Sequence, residues 1–131
     1  MAPIRLLLID DEAEFTDLLQ LNFSRDERFV TEVENNPLHA LSTAQKFRPD
    51  VILLDIVMPG ADGGDVRVSL QSDSLLRRVP VILVSALVQH QDTDPDAVVE
   101  TSDGIIIAKP VRMPHLITCI EEALGTKLPV R

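Results

Sequence analysis

The chain has 131 residues, 45% of them apolar, and sets 12 Lys and Arg against 21 Asp and Glu for a formal net charge of −9. That length suits one compact domain with an aliphatic core of its own. The acidic balance argues against direct contact with nucleic acid, whose phosphates are held by clusters of Lys and Arg, and no apolar run approaches membrane-spanning length. The single Cys119 cannot form an internal disulfide. With no basic-then-apolar signal segment at the start, a soluble protein of the reducing cytoplasm is expected.

Apolar runs alternate with segments of helical period along the sequence. Strands are predicted at Ile4 to Ile9, Phe29 to Val33, Val51 to Leu54, Val81 to Val84 and Ile105 to Ala108. Four are short, aliphatic and nearly continuous, as in strands buried on both faces of a parallel sheet. The second carries Thr31, Glu32 and Glu34 and reads as an edge strand. Between the first two runs, Phe15, Leu18, Leu19 and Asn22 follow helical spacing. Leu38, Leu41, Ala44 and Phe47 do the same after Asn36, a helix-capping residue, and Pro37, which suits a first helical position; Pro49 closes that helix. Val66 and Leu70 mark a third helix beyond the turn Met58-Pro59-Gly60-Ala61-Asp62-Gly63-Gly64. In the long stretch after Ser85 only Asp94 to Thr101 has helical character. The last helix starts near Pro114, buries Leu116, Ile117, Ile120 and Leu124, and stops at Gly125. Five β-α units in series predict a doubly wound α/β fold, a five-stranded parallel sheet with helices on both faces.

Two of these runs end in acids: Ile9 is followed by Asp10 and Asp11, and Leu54 by Asp55. Parallel neighbours bring their carboxyl ends to one edge, where open α/β sheets place their ligand sites. Three carboxylates gathered there repel one another unless a cation intervenes. Hard oxygen donors without Cys or His point to a divalent ion of the magnesium type. Other candidates carry less. Asp92-Thr93-Asp94-Pro95-Asp96 resembles the start of a calcium loop but lacks its Gly and terminal Glu. His39, His90 and His115 have no metal-ligand spacing, and Cys119 lies beside the apolar stripe of the last helix.

The stretch Leu54-Asp55-Ile56-Val57-Met58-Pro59-Gly60-Ala61-Asp62-Gly63 closely resembles the phosphoacceptor motif of response-regulator receiver domains of two-component systems. Asp10-Asp11 matches the family's metal-binding pair, Ser85 its hydroxyl residue after the fourth strand, and Lys109-Pro110 its lysine-proline pair after the fifth. The resemblance runs from about residue 4 to 124 in the family's order. It implies a flavodoxin-like, CheY-like (βα)5 sheet of order 2-1-3-4-5, with residues 1–126 as the receiver and 127–131 as a tail or the start of a linker. It also implies that Asp55 accepts a phosphoryl group from a sensor histidine kinase or a histidine phosphotransfer protein. Mg2+ would be held by Asp11, Asp55 and the backbone carbonyl of Val57, with Asp10 binding through water. Lys109 and Ser85 would contact phosphoryl oxygens, so that catalysis is positioning and charge neutralisation without an enzyme activity toward other substrates.

Departures from the family pattern fall on the output side. Receivers usually carry Tyr or Phe three residues before the lysine, where this chain has Ile106. A monomer or weak dimer follows as the expectation. The positions flanking the path of a hydrolytic water are Val57 and Leu87, both apolar, which implies a slowly decaying phosphoaspartate. The main rival reading is a phosphatase of the haloacid dehalogenase class, which needs an acid two positions after its nucleophile. Val57 stands there instead. A pseudo-receiver acting only as a binding module is the other alternative, and retention of all five site residues argues against it.

Overall fold

The computed structural model describes residues 2–56, 63–85, 99–101 and 104–129. The elements are β1 (Ile4–Ile9), α1 (Ala13–Ser24), β2 (Phe29–Glu34), a 3-10 turn (Pro37–His39), α2 (Ala40–Phe47), β3 (Val51–Asp55), α3 (Gly63–Ser72), β4 (Val81–Ser85), β5 (Val99–Thr101), β6 (Gly104–Ala108) and α4 (Met113–Leu124). They form one sheet of order β2-β1-β3-β4-β6-β5. The five predicted strands are its parallel members, in the expected order, and β2 lies at an edge.

Strand alternation divides the core in two. One face of the sheet presents Leu6, Leu8, Leu53, Ile82, Val84 and Ile107 to α1 and α4, which contribute Leu19, Phe23, Leu116, Cys119 and Ile120. The other presents Leu7, Ile9, Ile52, Leu54 and Leu83 to Ala40, Ala44, Val66 and Leu70 of α2 and α3. Apolar residues of both parities are therefore buried, as parallel strands sandwiched between helices require. The 3-10 turn before α2 is capped as predicted, by the Asn36 side chain accepting from the Leu38 N–H, with Pro37 at its start. After α2, Arg48 adopts a left-handed conformation ahead of Pro49. Gly125, at φ 68°, ends α4.

The structure corrects the sequence reading in three places. The apolar stripe of α1 runs through Phe15, Leu19 and Phe23, spaced i, i+4, i+8, whereas Leu18 and Leu38 are 59% and 76% exposed. In the predicted fourth helix, residues 99–101 are instead a strand antiparallel to β6, pairing Val99 with Ile106 and Thr101 with Gly104. Val99 and Thr101 are β-branched, which favours a strand over a helix. The rest of that predicted helix, the calcium-loop-like stretch, Val57 and Leu87 lie outside the described residues. Finally, Leu128, in the segment read as a tail, is buried in the core beside α4, and its N–H donates to Glu121 Oε2 at 2.7 Å.

Phe23 is fully buried and meets Phe29 edge to face, with ring centroids 4.8 Å apart. Phe23→Ala is therefore expected to cost about 3–5 kcal/mol in urea denaturation, and Leu18→Ala less than about 0.5 kcal/mol. Equal losses would contradict this assignment of the α1 faces.

Candidate functional site

Strand register builds the site. Ile9 pairs with Leu54 across β1 and β3, so the next residues, Asp10 and Asp55, emerge side by side at the carboxyl edge. Asp55 itself pairs with Val84 of β4, and Ser85 pairs with Ala108 of β6. The Lys109 N–H donates to the Ser85 carbonyl at 3.1 Å, which ties the start of the β6–α4 loop to the end of β4. The following Lys109–Pro110 peptide is cis.

Asp10, Asp55 and Ser85 are buried, and Asp11 is half-buried. Each aspartate offers a carboxylate oxygen such that all three lie within 4.8 Å of one another. Lys109 Nζ reaches into this cluster, 2.8 Å from Asp10 Oδ2 and 3.4 Å from Asp55 Oδ2. It also bonds Glu12 Oε1 at 2.9 Å and lies 4.4 Å from the centre of the Phe15 ring. The structure thus brings together Asp10, Asp11, Asp55 and Lys109, with Ser85 at the adjacent strand end.

Electrostatics follow from the crowding. Burial raises the Asp10 pKa above the usual carboxylate range, the contacts with Lys109 and the Glu12 N–H pull it back, and the Asp55 charge pushes it up again. Burial alone would lower the Lys109 pKa, but its bonds to Asp10 and Glu12 and the charges of Asp10 and Asp55 outweigh this and hold it high. Lys109 is therefore a fixed cation at neutral pH.

The donor set suits a divalent ion. The candidate donors among the described residues are carboxylate oxygens. Asp10 Oδ2 is buried and meets only the Lys109 ammonium among the described residues, and three carboxylates around one ammonium leave a surplus of negative charge that a hard cation would satisfy.

Glu12, Thr16 and Asn35 escaped the sequence reading, which named Phe15 only as a helix residue and not at the site. Glu12 directly follows the acidic pair and could have been noticed as a third acid. Asn35 donates to the Asp10 carbonyl at 2.7 Å and to Thr16 Oγ1 at 2.9 Å, contacts with no local sequence signal.

This fold and acidic edge agree with comparisons to known proteins. The family model for the response regulator receiver domain matches residues 6–121, and the chain belongs to that family. It is a receiver domain of the two-component signalling type. The polar-differentiation response regulator DivK of Brucella anthropi is 37% identical over 127 residues, covering 94% of this chain and 98% of that protein. The DNA-binding response regulator MtrA of Mycobacterium tuberculosis is 31% identical over 120 residues, covering 92% of this chain and 50% of that protein. The chain thus spans about half the length of its MtrA relatives. Among solved structures, the receiver domain of the sensor histidine kinase PA1611 from Pseudomonas aeruginosa, with magnesium in its active-site cleft, superposes with a TM-score of 0.76. The two are 22% identical over 95% of this chain and 100% of that one, a likeness that concerns the fold.

The raised Asp10 pKa makes a stability prediction. The folded chain binds this proton more tightly than the unfolded chain. The resulting stabilisation is full below the unfolded value of about 4 and is lost as pH rises through the folded value. In metal-free buffer at pH 7, Asp10→Asn is therefore expected to raise the melting midpoint, with the gain vanishing toward pH 4. A lower midpoint at pH 7 would mean that pairing with Lys109 outweighs the cost of burying Asp10.

Proposed function

We propose that Asp55 is the phosphoacceptor of this receiver, taking a phosphoryl group from the phosphohistidine of a sensor histidine kinase or histidine phosphotransfer protein. The observation that carries this is the gathering of three carboxylates within 4.8 Å of one another beside the Lys109 ammonium, which contacts two of them, Asp10 and Asp55. An Asp55 oxygen attacks phosphorus, the phosphorus–nitrogen bond breaks, and an acyl phosphate forms as the imidazole leaves. The carboxylate and the phosphoryl group are both anionic. Lys109 meets this problem by pairing with a phosphoryl oxygen in place of Asp55, and the Ser85 hydroxyl donates to another. Asp10, Asp11, Asp55 and, by the family pattern, the Val57 carbonyl would hold Mg2+, which supplies charge neutralisation when bound.

In this reading the chain modifies itself and is not an enzyme toward a separate substrate. Its receiver unit comprises residues 1–126 with Leu128 of the following segment packed onto it, and it acts as a monomer or weak dimer through protein partners, with no direct contact with nucleic acid or membrane. The net charge of −9 supports the first exclusion. Among the described residues no helix is long and apolar enough to cross a membrane. A cytoplasmic setting is part of the proposal and is supported by a sequence with a single cysteine, Cys119, and so no internal disulfide.

Incubation with acetyl phosphate and Mg2+ is expected to add a single phosphoryl group by intact mass, and none with chelator. Asp55→Asn should abolish the addition, and Lys109→Ala should slow it on the order of tenfold or more while the protein stays folded. Persistence of the adduct in Asp55→Asn would sink the assignment.

A further inference from the structure

Asp10, Asp11 and Glu12 form a continuous acidic run at the β1–α1 junction, and their mutual repulsion favours opening that junction. The ordinary restraint there is missing. Glu12 stands at the N-cap of α1 but makes no capping hydrogen bond with its side chain. The Asp10 carboxylate compensates in part, since its Oδ1 accepts from the Glu12 N–H at 2.9 Å.

The remaining restraint comes from outside the junction. Asn35, the first residue after β2, donates both amide hydrogens: one to the Asp10 carbonyl at 2.7 Å, the other to Thr16 Oγ1 at 2.9 Å. Thr16 is fully buried and passes its own hydroxyl hydrogen to the Ala13 carbonyl at 3.1 Å. Donors and acceptors alternate consistently along this chain. An amide turned the other way would set its oxygen against the Asp10 carbonyl. The Asp10 N–H in turn donates to the Glu34 carbonyl at 3.2 Å. The peptide groups on both sides of Asp10 are therefore held from the end of β2, and the first turn of α1 is tied to the same amide.

We propose that Asn35 and Thr16 are positioning residues for cation binding, holding the β1–α1 junction so that Asp10 and Asp11 face Asp55. Neither residue contacts the ion; both act through the Asp10 backbone and the first turn of α1. The inference rests on the reading of the three aspartates as a Mg2+ site. Hydrogen bonds that orient ligands from behind typically change metal affinity by roughly 10- to 100-fold when removed.

The test is a calorimetric Mg2+ titration of the whole chain at neutral pH, with circular dichroism to check folding. Asn35→Ala and Thr16→Val are each expected to weaken Mg2+ binding by roughly tenfold or more, whereas Thr16→Ser, which keeps the hydroxyl, stays within about twofold of the parent. Leu19→Val, a core change on the same helix, should lower the melting midpoint without altering affinity. With acetyl phosphate as donor, the Mg2+ concentration for half-maximal phosphorylation should rise in Asn35→Ala, while the rate at saturating Mg2+ matches the parent. Folded Asn35→Ala and Thr16→Val proteins that bind Mg2+ like a parent that does bind it would overturn this role and leave the metal site standing. A parent that binds no Mg2+ would overturn the metal site and this role with it. Thr16→Ser behaving as Thr16→Val would show that side-chain volume, not the hydroxyl, matters.

Discussion

Repulsion among Asp10, Asp11 and Asp55 is the constraint around which this domain is built. Their oxygens lie within 4.8 Å of one another, and two unit charges at such a distance interact by about 4 kcal/mol near a protein surface. The strands beneath supply the restoring force. Leu6 to Ile9 and Val51 to Leu54 are almost wholly buried, and slipping either strand by one residue would exchange its two apolar faces. Packing therefore fixes where the strands end and the carboxylates emerge, while the bonds from Asn35 and the Glu34 carbonyl hold the junction beyond β1. Lys109 offsets part of the charge, held in place by its N–H on the Ser85 carbonyl and by Glu12 and Asp10 at its tip.

The same arrangement leaves Lys109 shared among several carboxylates. A phosphoryl group on Asp55 would compete for that ammonium with Asp10 and Glu12, so Glu12, 60% exposed, is the carboxylate it can most readily release. The opposite end of the sheet differs in character. There β6 is flanked by the short antiparallel β5, and Ile106, in place of the family's aromatic residue, packs partly buried against the core on the α2–α3 side.

Legibility in the sequence followed the range of the interactions. The buried parallel strands announce themselves by composition, and their terminal acids therefore identified the site edge before any contact was known. Asn36 and Gly125 were legible because capping is local. Asn35 was not, because its partners Asp10 and Thr16 are 25 and 19 residues away in sequence and nothing near it marks a contact. Leu18 was misleading for a different reason. It shares helical spacing with Phe15, but the stripe that meets the sheet is set by Phe15, Leu19 and Phe23 together. The strand at Val99 to Thr101 pairs with the adjacent β6, and a helical reading of Asp94 to Thr101 gave too little weight to its β-branched Val99 and Thr101.

The central claim is chemical: that the acidic edge directs a phosphoryl group to one carboxylate. The most direct measurement is borohydride reduction after exposure to a phosphodonor, which converts an acyl phosphate to the corresponding alcohol, followed by peptide mapping. Reduction is expected at Asp55 alone, dependent on Mg2+ and absent with chelator. Reduction at Asp10 or Asp11, or a borohydride-resistant phosphate on the Ser85 hydroxyl, would contradict it.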